Sequence, residues 1–353
     1  MLTAPTAIAP TVAAIIRRSL RNCNDVFVPD PCHSNEGIQL VRYFRFSFFE
    51  FFEIVRRVPI SWIGAVTLCL TTSVACDKLG LGGDKNPMEP TRPPAAGAAI
   101  FYTAVGASDA TAHGGSIECV PFVDCPNGTG YVQVAVRQLR ASGFTVTLSN
   151  LGIPTAVIGP DFQALSAQYR PSAPVFGNYI EQEMPFVNKD TTVVTIFAGG
   201  NEVNTITAAL GGGAGAGDQL GYIDQQVRAF GADFATLVNG IRARATARIV
   251  VLNLPNLAGL PYLAAAGLPQ RQAAQRAAVA MATTVVNPLT AQGVAVVDLM
   301  CDPRSYVPSN YFSDGFHPND AGYAFIASEV VRAITLMSYP APQSSCAPMT
   351  LVR

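Results

Sequence analysis

Residues 193–201 read Val-Val-Thr-Ile-Phe-Ala-Gly-Gly-Asn. Five β-branched or aromatic residues in succession, none charged, describe a strand buried on both faces. The two glycines that follow let the backbone pass close to a ligand, and the asparagine presents an amide there; a turn asparagine is the plain alternative. Four more short apolar runs of this kind occur at 100–105, 144–148, 249–252 and 294–299. Helical patterns separate them at 130–141, 220–245, 270–290 and 320–337. Strands alternating with helices predict an α/β fold, a three-layer α/β/α sandwich around a roughly five-stranded parallel sheet. In such sheets the ligand site lies beyond the carboxyl ends of the strands. The glycine-rich run 211–217 reads as a surface loop.

The chain has 353 residues, 49% hydrophobic and only 13% charged. The apparent globular part, from about residue 98 onward, suits one domain of the α/β class. The formal net charge is −1, and without residues 1–75 the remaining 16 basic and 19 acidic residues give −3. No basic stripe is left to follow a phosphate backbone, which excludes nucleic acid as a partner.

The N-terminal third reads as an address. Arg56 and Arg57 precede an apolar run, Val58 to Ala75, that ends Ser73-Val74-Ala75-Cys76. A basic segment, an apolar segment and small residues before a cleavage point describe a secretion signal. The cysteine after Val-Ala resembles a bacterial lipoprotein signal, with Cys76 as the lipidated residue; a transmembrane anchor or an ordinary signal is the alternative. The expected organisation is an extension foreign to the native chain, or disordered, at 1–54, signal or anchor at 55–76, a Gly/Pro-rich linker at 77–97 and the domain at 98–353. The domain would then be exported and held at the cell envelope. Downstream of Cys76 stand Cys119, Cys125, Cys301 and Cys346. An even number in an exported chain points to disulfides, Cys119–Cys125 and Cys301–Cys346, rather than zinc, for which no ligand spacing is present.

Polar residues collect at the strand ends. The first strand runs into Gly106-Ala107-Ser108-Asp109. The glycine permits a sharp exit, and the serine then falls at or near a helix N-terminus, where backbone N–H groups stabilise a developing oxyanion. Alone, such a serine is an ordinary N-cap. The second strand leads into Ser149-Asn150-Leu151-Gly152-Ile153-Pro154-Thr155, and near the C-terminus stands Asp314-Gly315-Phe316-His317-Pro318. A carboxylate three residues before an imidazole is a compact acid–base pair. The chain holds three histidines, His33, His113 and His317; His113, five residues after Ser108, is the rival base and is expected to line the pocket instead.

In this order the four segments resemble the SGNH (GDSL-type) hydrolases over most of the domain. The resemblance implies Ser108 as nucleophile, His317 as base and Asp314 as its orienting acid. It implies an oxyanion hole from the Ser108 N–H, the Asn201 amide and a third N–H, at Thr155 or else Gly152. The family's Gly-Asp-Ser-Leu is here Gly-Ala-Ser-Asp, and Thr155 stands where a glycine is usual. The expected activity is carboxylic ester hydrolysis through an acyl-enzyme, on a small-molecule or lipid ester, with no cofactor and no metal. A carbohydrate O-deacetylase, an acyltransferase or an inactive ligand-binding relative are the alternatives on the same fold. The apolar stretch 254–268 reads either as an acyl wall or as ordinary packing.

Overall fold

The computed structural model describes residues 92–353, all within one unit, Asp84–Arg353. The expectations for residues 1–54, for the signal at 55–76 with Cys76, and for most of the linker lie outside the described residues.

Five parallel strands form one sheet in the order β2-β1-β3-β4-β5: β1 Ala99–Gly106, β2 Thr145–Asn150, β3 Val193–Phe197, β4 Arg248–Leu252 and β5 Ala295–Val297. Alternate residues of a strand face opposite sides. Val194, Ile196, Ile249 and Val251 accordingly join one core, and Val193, Val250 and Leu252 the other. The first core is covered by α2 (Pro160–Tyr169), α3 (Gly200–Gly211), α4 (Gln219–Arg244) and α5 (Leu268–Ala280). The second is covered by α1 (Tyr131–Ala141) and α6 (Asp320–Thr335). The result is the three-layer sandwich expected. No helix among the described residues is long and apolar enough to cross a membrane.

The chain leaves β1 to one side for β2 and returns to its other side for β3. A crevice opens at such a reversal, beyond the carboxyl ends of the strands. The ends of β1 and β3 flank it, so the segment after Gly106 and the Gly-Gly-Asn after β3 are brought together by topology.

Several local expectations are corrected. Ser108 does not stand at a helix N-terminus: residues 108–114 form consecutive turns, with Thr111 N and His113 N both donating to the Ser108 carbonyl. Asn201 belongs to the first turn of α3 rather than to a loop. The helix expected over 270–290 ends as a regular α-helix at Ala280 and continues as a π turn and a 3-10 turn carrying Pro288. Proline lacks an N–H and its ring clashes with the preceding turn, which widens and then breaks the helix. The final helix is capped by Asn319, whose side chain accepts from Ala321 N and Gly322 N, and begins at Asp320. The apolar stretch after Pro255 folds into two short 3-10 turns with Leu257, Leu260 and Leu263 buried.

Both expected disulfides are present, Cys119–Cys125 and Cys301–Cys346, closing separations of 6 and 45 residues. Loop-closure entropy makes the longer one worth about 4 kcal/mol against about 2 kcal/mol for the shorter. Replacing Cys301 and Cys346 by serine is therefore expected to lower the denaturant midpoint more than replacing Cys119 and Cys125. Chemical denaturation of the two double variants checks the ranking.

Candidate active site

Ser108 follows β1 on the turn just described and is 6% exposed. Its position is fixed from behind. Gly106 N donates to Glu183 Oε2 at 2.9 Å, and Tyr179 Oη donates to the Phe197 carbonyl at 2.9 Å. Both side chains come from one π-helical turn, Tyr179–Glu183, and nothing in the sequence marked it. Glu183 is fully buried and its Oε1 has no hydrogen-bond partner. Burial pushes its carboxyl well above the usual carboxylate range, despite the opposing N–H groups of Gly106 and Ile153.

Across the crevice, Ser108 Oγ lies 2.8 Å from His317 Nε2. His317 Nδ1 lies 2.6 Å from Asp314 Oδ2, and Asp314 Oδ1 accepts from Phe316 N at 2.9 Å and His317 N at 3.0 Å. The local sequence makes this turn. Gly315 has φ +70°, and a Cβ there would stand 2.5 Å from Tyr262 N, so only glycine lets Asp314 fold over the two following N–H groups. Burial opposes the charge on Asp314, yet the His317 imidazole and the two N–H groups outweigh it and hold the carboxyl down to about 2. Burial likewise opposes charge on His317; the bond from Asp314 and the nearby Asp109 carboxylate outweigh it, and the imidazole is raised above its ordinary value.

Three hydrogen bonds draw the second-strand segment onto the same spot. Asn150 Nδ2 donates to the Ala110 carbonyl at 2.7 Å, Ile153 N donates to the Gly106 carbonyl at 3.1 Å, and Asn201 Nδ2 donates to the Ala156 carbonyl at 2.9 Å. That last bond uses one N–H of the Asn201 amide and leaves the other. Glu202 locks the two loops further: its carboxylate accepts from Ile158 N at 2.5 Å and Gly199 N at 2.9 Å. It is buried, and desolvation raises its carboxyl to about 7 against those bonds and Arg170. Gly199 takes φ +116° at the N-cap of α3, a left-handed conformation that glycine adopts without strain.

The two candidates for a third N–H separate here. Gly152 N is already bonded to Asn150 Oδ1 at 3.2 Å. The backbone N–H groups of Ser108 and Thr155 have no acceptor within the described chain. Thr155 sits at φ +65°, costly for a β-branched residue. Its hydroxyl compensates, donating to the Pro174 carbonyl at 2.8 Å and accepting from Phe176 N at 3.2 Å.

A cavity of about 50 Å³ borders this cluster. It is lined by Ala107 and Asp109 on either side of Ser108, by Asn201, by Phe316 and Pro318 on either side of His317, and by Leu254.

A serine, an imidazole and a carboxylate joined in series sit on segments that match one family model over residues 102–325, that of the GDSL-like lipase/acylhydrolase family. The chain belongs to that family. GDSL-type hydrolases are ester-cleaving enzymes, and this chain is a hydrolase of the esterase type. Its fold is similar to solved structures of several such proteins. A lipase, Lip_vut3, from goat rumen metagenome matches at 15% identity and TM-score 0.45, over 68% of this chain and 100% of that one. Phospholipase A1 from Streptomyces albidoflavus NA297 matches at 17% identity and TM-score 0.41, over 64% and 94%. Axe2, an acetylxylan esterase from Geobacillus stearothermophilus, matches at 16% identity and TM-score 0.43, over 72% and 100%. No curated protein sequence matches the chain.

The raised imidazole has a consequence for a GDSL-type enzyme. A general base must be neutral, so with His317 in that role kcat/KM would rise with pH through its titration, with a midpoint above the ordinary histidine value. Asp109→Asn removes one of the charges that raise it and is expected to move the midpoint down. A pH profile of kcat/KM for both proteins is the measurement; an unmoved midpoint would exclude this influence of Asp109.

Proposed function

We propose that this protein is a serine carboxylic ester hydrolase working through Ser108, His317 and Asp314. The observation that carries the reading is the unbroken series Ser108 Oγ–His317 Nε2 at 2.8 Å and His317 Nδ1–Asp314 Oδ2 at 2.6 Å. His317 takes the Ser108 proton as Oγ attacks the ester carbonyl, and returns it to the departing alcohol. Asp314 fixes the imidazole with Nδ1–H directed at itself and stabilises the imidazolium. The negative charge on the carbonyl oxygen is met by the N–H groups of Ser108 and Thr155 and the second Asn201 amide N–H. Water then takes the place of the departed alcohol beside the acyl-enzyme, with His317 again as base, and the acid is released as the proton returns to Ser108 Oγ.

In the same reading, residues 55–76 export the domain and a lipidated Cys76 holds it at the membrane. Intact mass of the native protein with residues 1–75 retained would refute that part.

The test is hydrolysis of p-nitrophenyl acetate, butyrate and octanoate by the purified protein, with Ser108→Ala beside it. The wild type is expected to hydrolyse at least one of the three and the variant none. Equal rates for wild type and variant would remove the assignment of Ser108.

A further inference from the structure

The proposed chemistry uses one of two neighbouring histidines. His113, on the turn after Ser108, meets His317 edge to face, with ring centroids 4.4 Å apart and planes at 84°. Each ring has a carboxylate beside Nδ1: Glu118 Oε1 stands 3.0 Å from His113 Nδ1 as an ion-pair contact without hydrogen-bond alignment, and Asp314 Oδ2 is hydrogen-bonded to His317 Nδ1 at 2.6 Å. A carboxylate on one ring nitrogen leaves the other to offer its lone pair to a metal, and His317 is held in this way. His113 Nε2 makes no hydrogen bond within the described chain, while the backbone beneath it is anchored, its carbonyl accepting from Tyr323 Oη at 2.6 Å.

One donor atom on each of His113, Asp314 and His317 lies within 4.8 Å of the other two. Ligands at about 2.1 Å from a tetrahedral ion stand roughly 3.4 Å apart, so the donors, all within 4.8 Å of one another, need only small shifts, His113 inward and, where both bind, His317 Nδ1 and Asp314 Oδ2 apart from their 2.6 Å contact. The His113 side chain is 45% exposed, which leaves it free to swing on its anchored backbone. Paired imidazoles with one carboxylate suit borderline ions such as Zn²⁺, whereas Mg²⁺ and Ca²⁺ seek oxygen ligands.

We propose that His113 and His317, with Asp314 beside them, form an inhibitory site for a divalent transition-metal ion of the Zn²⁺ type. Inhibition follows whichever nitrogen of His317 the ion takes. Coordination through Nε2 displaces the Ser108 hydroxyl and deprives it of its base. Coordination through Nδ1 displaces the Asp314 contact, and the Nδ1 proton leaves to solvent. No electron transfer occurs in either case, and removing the ion restores the triad. The inhibitory consequence rests on the ester hydrolase reading; the binding itself does not.

The experiment is isothermal titration of the full chain with ZnCl₂, in wild type, His113→Ala and Glu118→Gln, alongside the Zn²⁺ dependence of p-nitrophenyl acetate hydrolysis. Rates are normalised to each protein's own metal-free value. Cysteines and His33 in the N-terminal residues offer other zinc ligands, so the difference between proteins isolates this site. His113→Ala is expected to weaken binding at one site by at least 10-fold and to raise the half-inhibitory Zn²⁺ concentration by a similar factor. Glu118→Gln, which removes the carboxylate charge 3.0 Å from His113 Nδ1, is expected to weaken both, by less than His113→Ala does. EDTA should restore the rate, and Mg²⁺ or Ca²⁺ should leave it unchanged. Identical titrations for wild type and His113→Ala, or equal inhibition by Ca²⁺, would overturn the proposal. So would full activity with the site saturated. An inactive wild type would defeat the hydrolase reading, and the calorimetric comparison would still decide the site.

Discussion

Ser108→Ala is expected to lower kcat for p-nitrophenyl acetate by on the order of 10⁶, and His317→Ala by a similar factor, because a triad acts as a unit. Asp314→Ala should reduce it less, by on the order of 10⁴. The structure explains the ranking. In the proposed mechanism Ser108 and His317 each handle the proton directly across a 2.8 Å contact, whereas Asp314 acts through the imidazole at 2.6 Å. Asp314 also folds the turn by holding Phe316 N and His317 N, so its removal loosens the base without deleting it. The Ser108→Ala/His317→Ala double variant should be no slower than either single one, since the second change removes nothing still in use. Steady-state kinetics of the four proteins tests this. A larger loss for Asp314→Ala than for His317→Ala, or losses that multiply in the double variant, would contradict the assigned roles.

Asn201→Ala is expected to lower kcat by about 10²–10³ with KM little changed, the signature of a donor that acts on the transition state alone. One donor of this kind stabilises the transition state by ~3 kcal/mol. Its amide is aimed before substrate arrives, since Nδ2 is tied to the Ala156 carbonyl at 2.9 Å. Thr155→Gly is the contrasting change. It keeps the backbone N–H and suits the φ of +65°, while losing the hydroxyl bonds to Pro174 and Phe176. Activity within about threefold of wild type is expected, because a main-chain donor does not depend on its side chain. A raised KM with normal kcat in Asn201→Ala would mean that the amide binds ground state and transition state equally.

Much of this was legible in the chain. The β-branched runs placed all five strands to within a few residues, because a strand buried on both faces excludes charge over its whole length. The helices of 131–141, 219–244 and 320–335 were visible for their apolar periodicity. Those at 160–169 and 200–211 were not: Pro160 and the glycines around Asn201 read locally as turns, and packing against the sheet overrode that preference. The turn after Ser108 reads as a helix start because Gly106 permits a sharp exit from the strand. The 108–114 segment instead spends its N–H groups on the Ala107, Ser108 and Asp109 carbonyls.

By itself the sequence determined the layered α/β architecture and the disulfide partners, and its resemblance to a family singled out Ser108, Asn201, Asp314 and His317 as the proposed site. The architecture follows from local periodicity, and the scarcity of histidine narrowed the choice of base. Only the tertiary structure decided that Thr155 rather than Gly152 keeps a free N–H. It alone placed Glu183 and Glu202 behind the site and set His113 against His317. Each of those depends on hydrogen bonds or contacts between residues far apart in the chain, made or withheld by the reversal of strand order at β1, which no local pattern records.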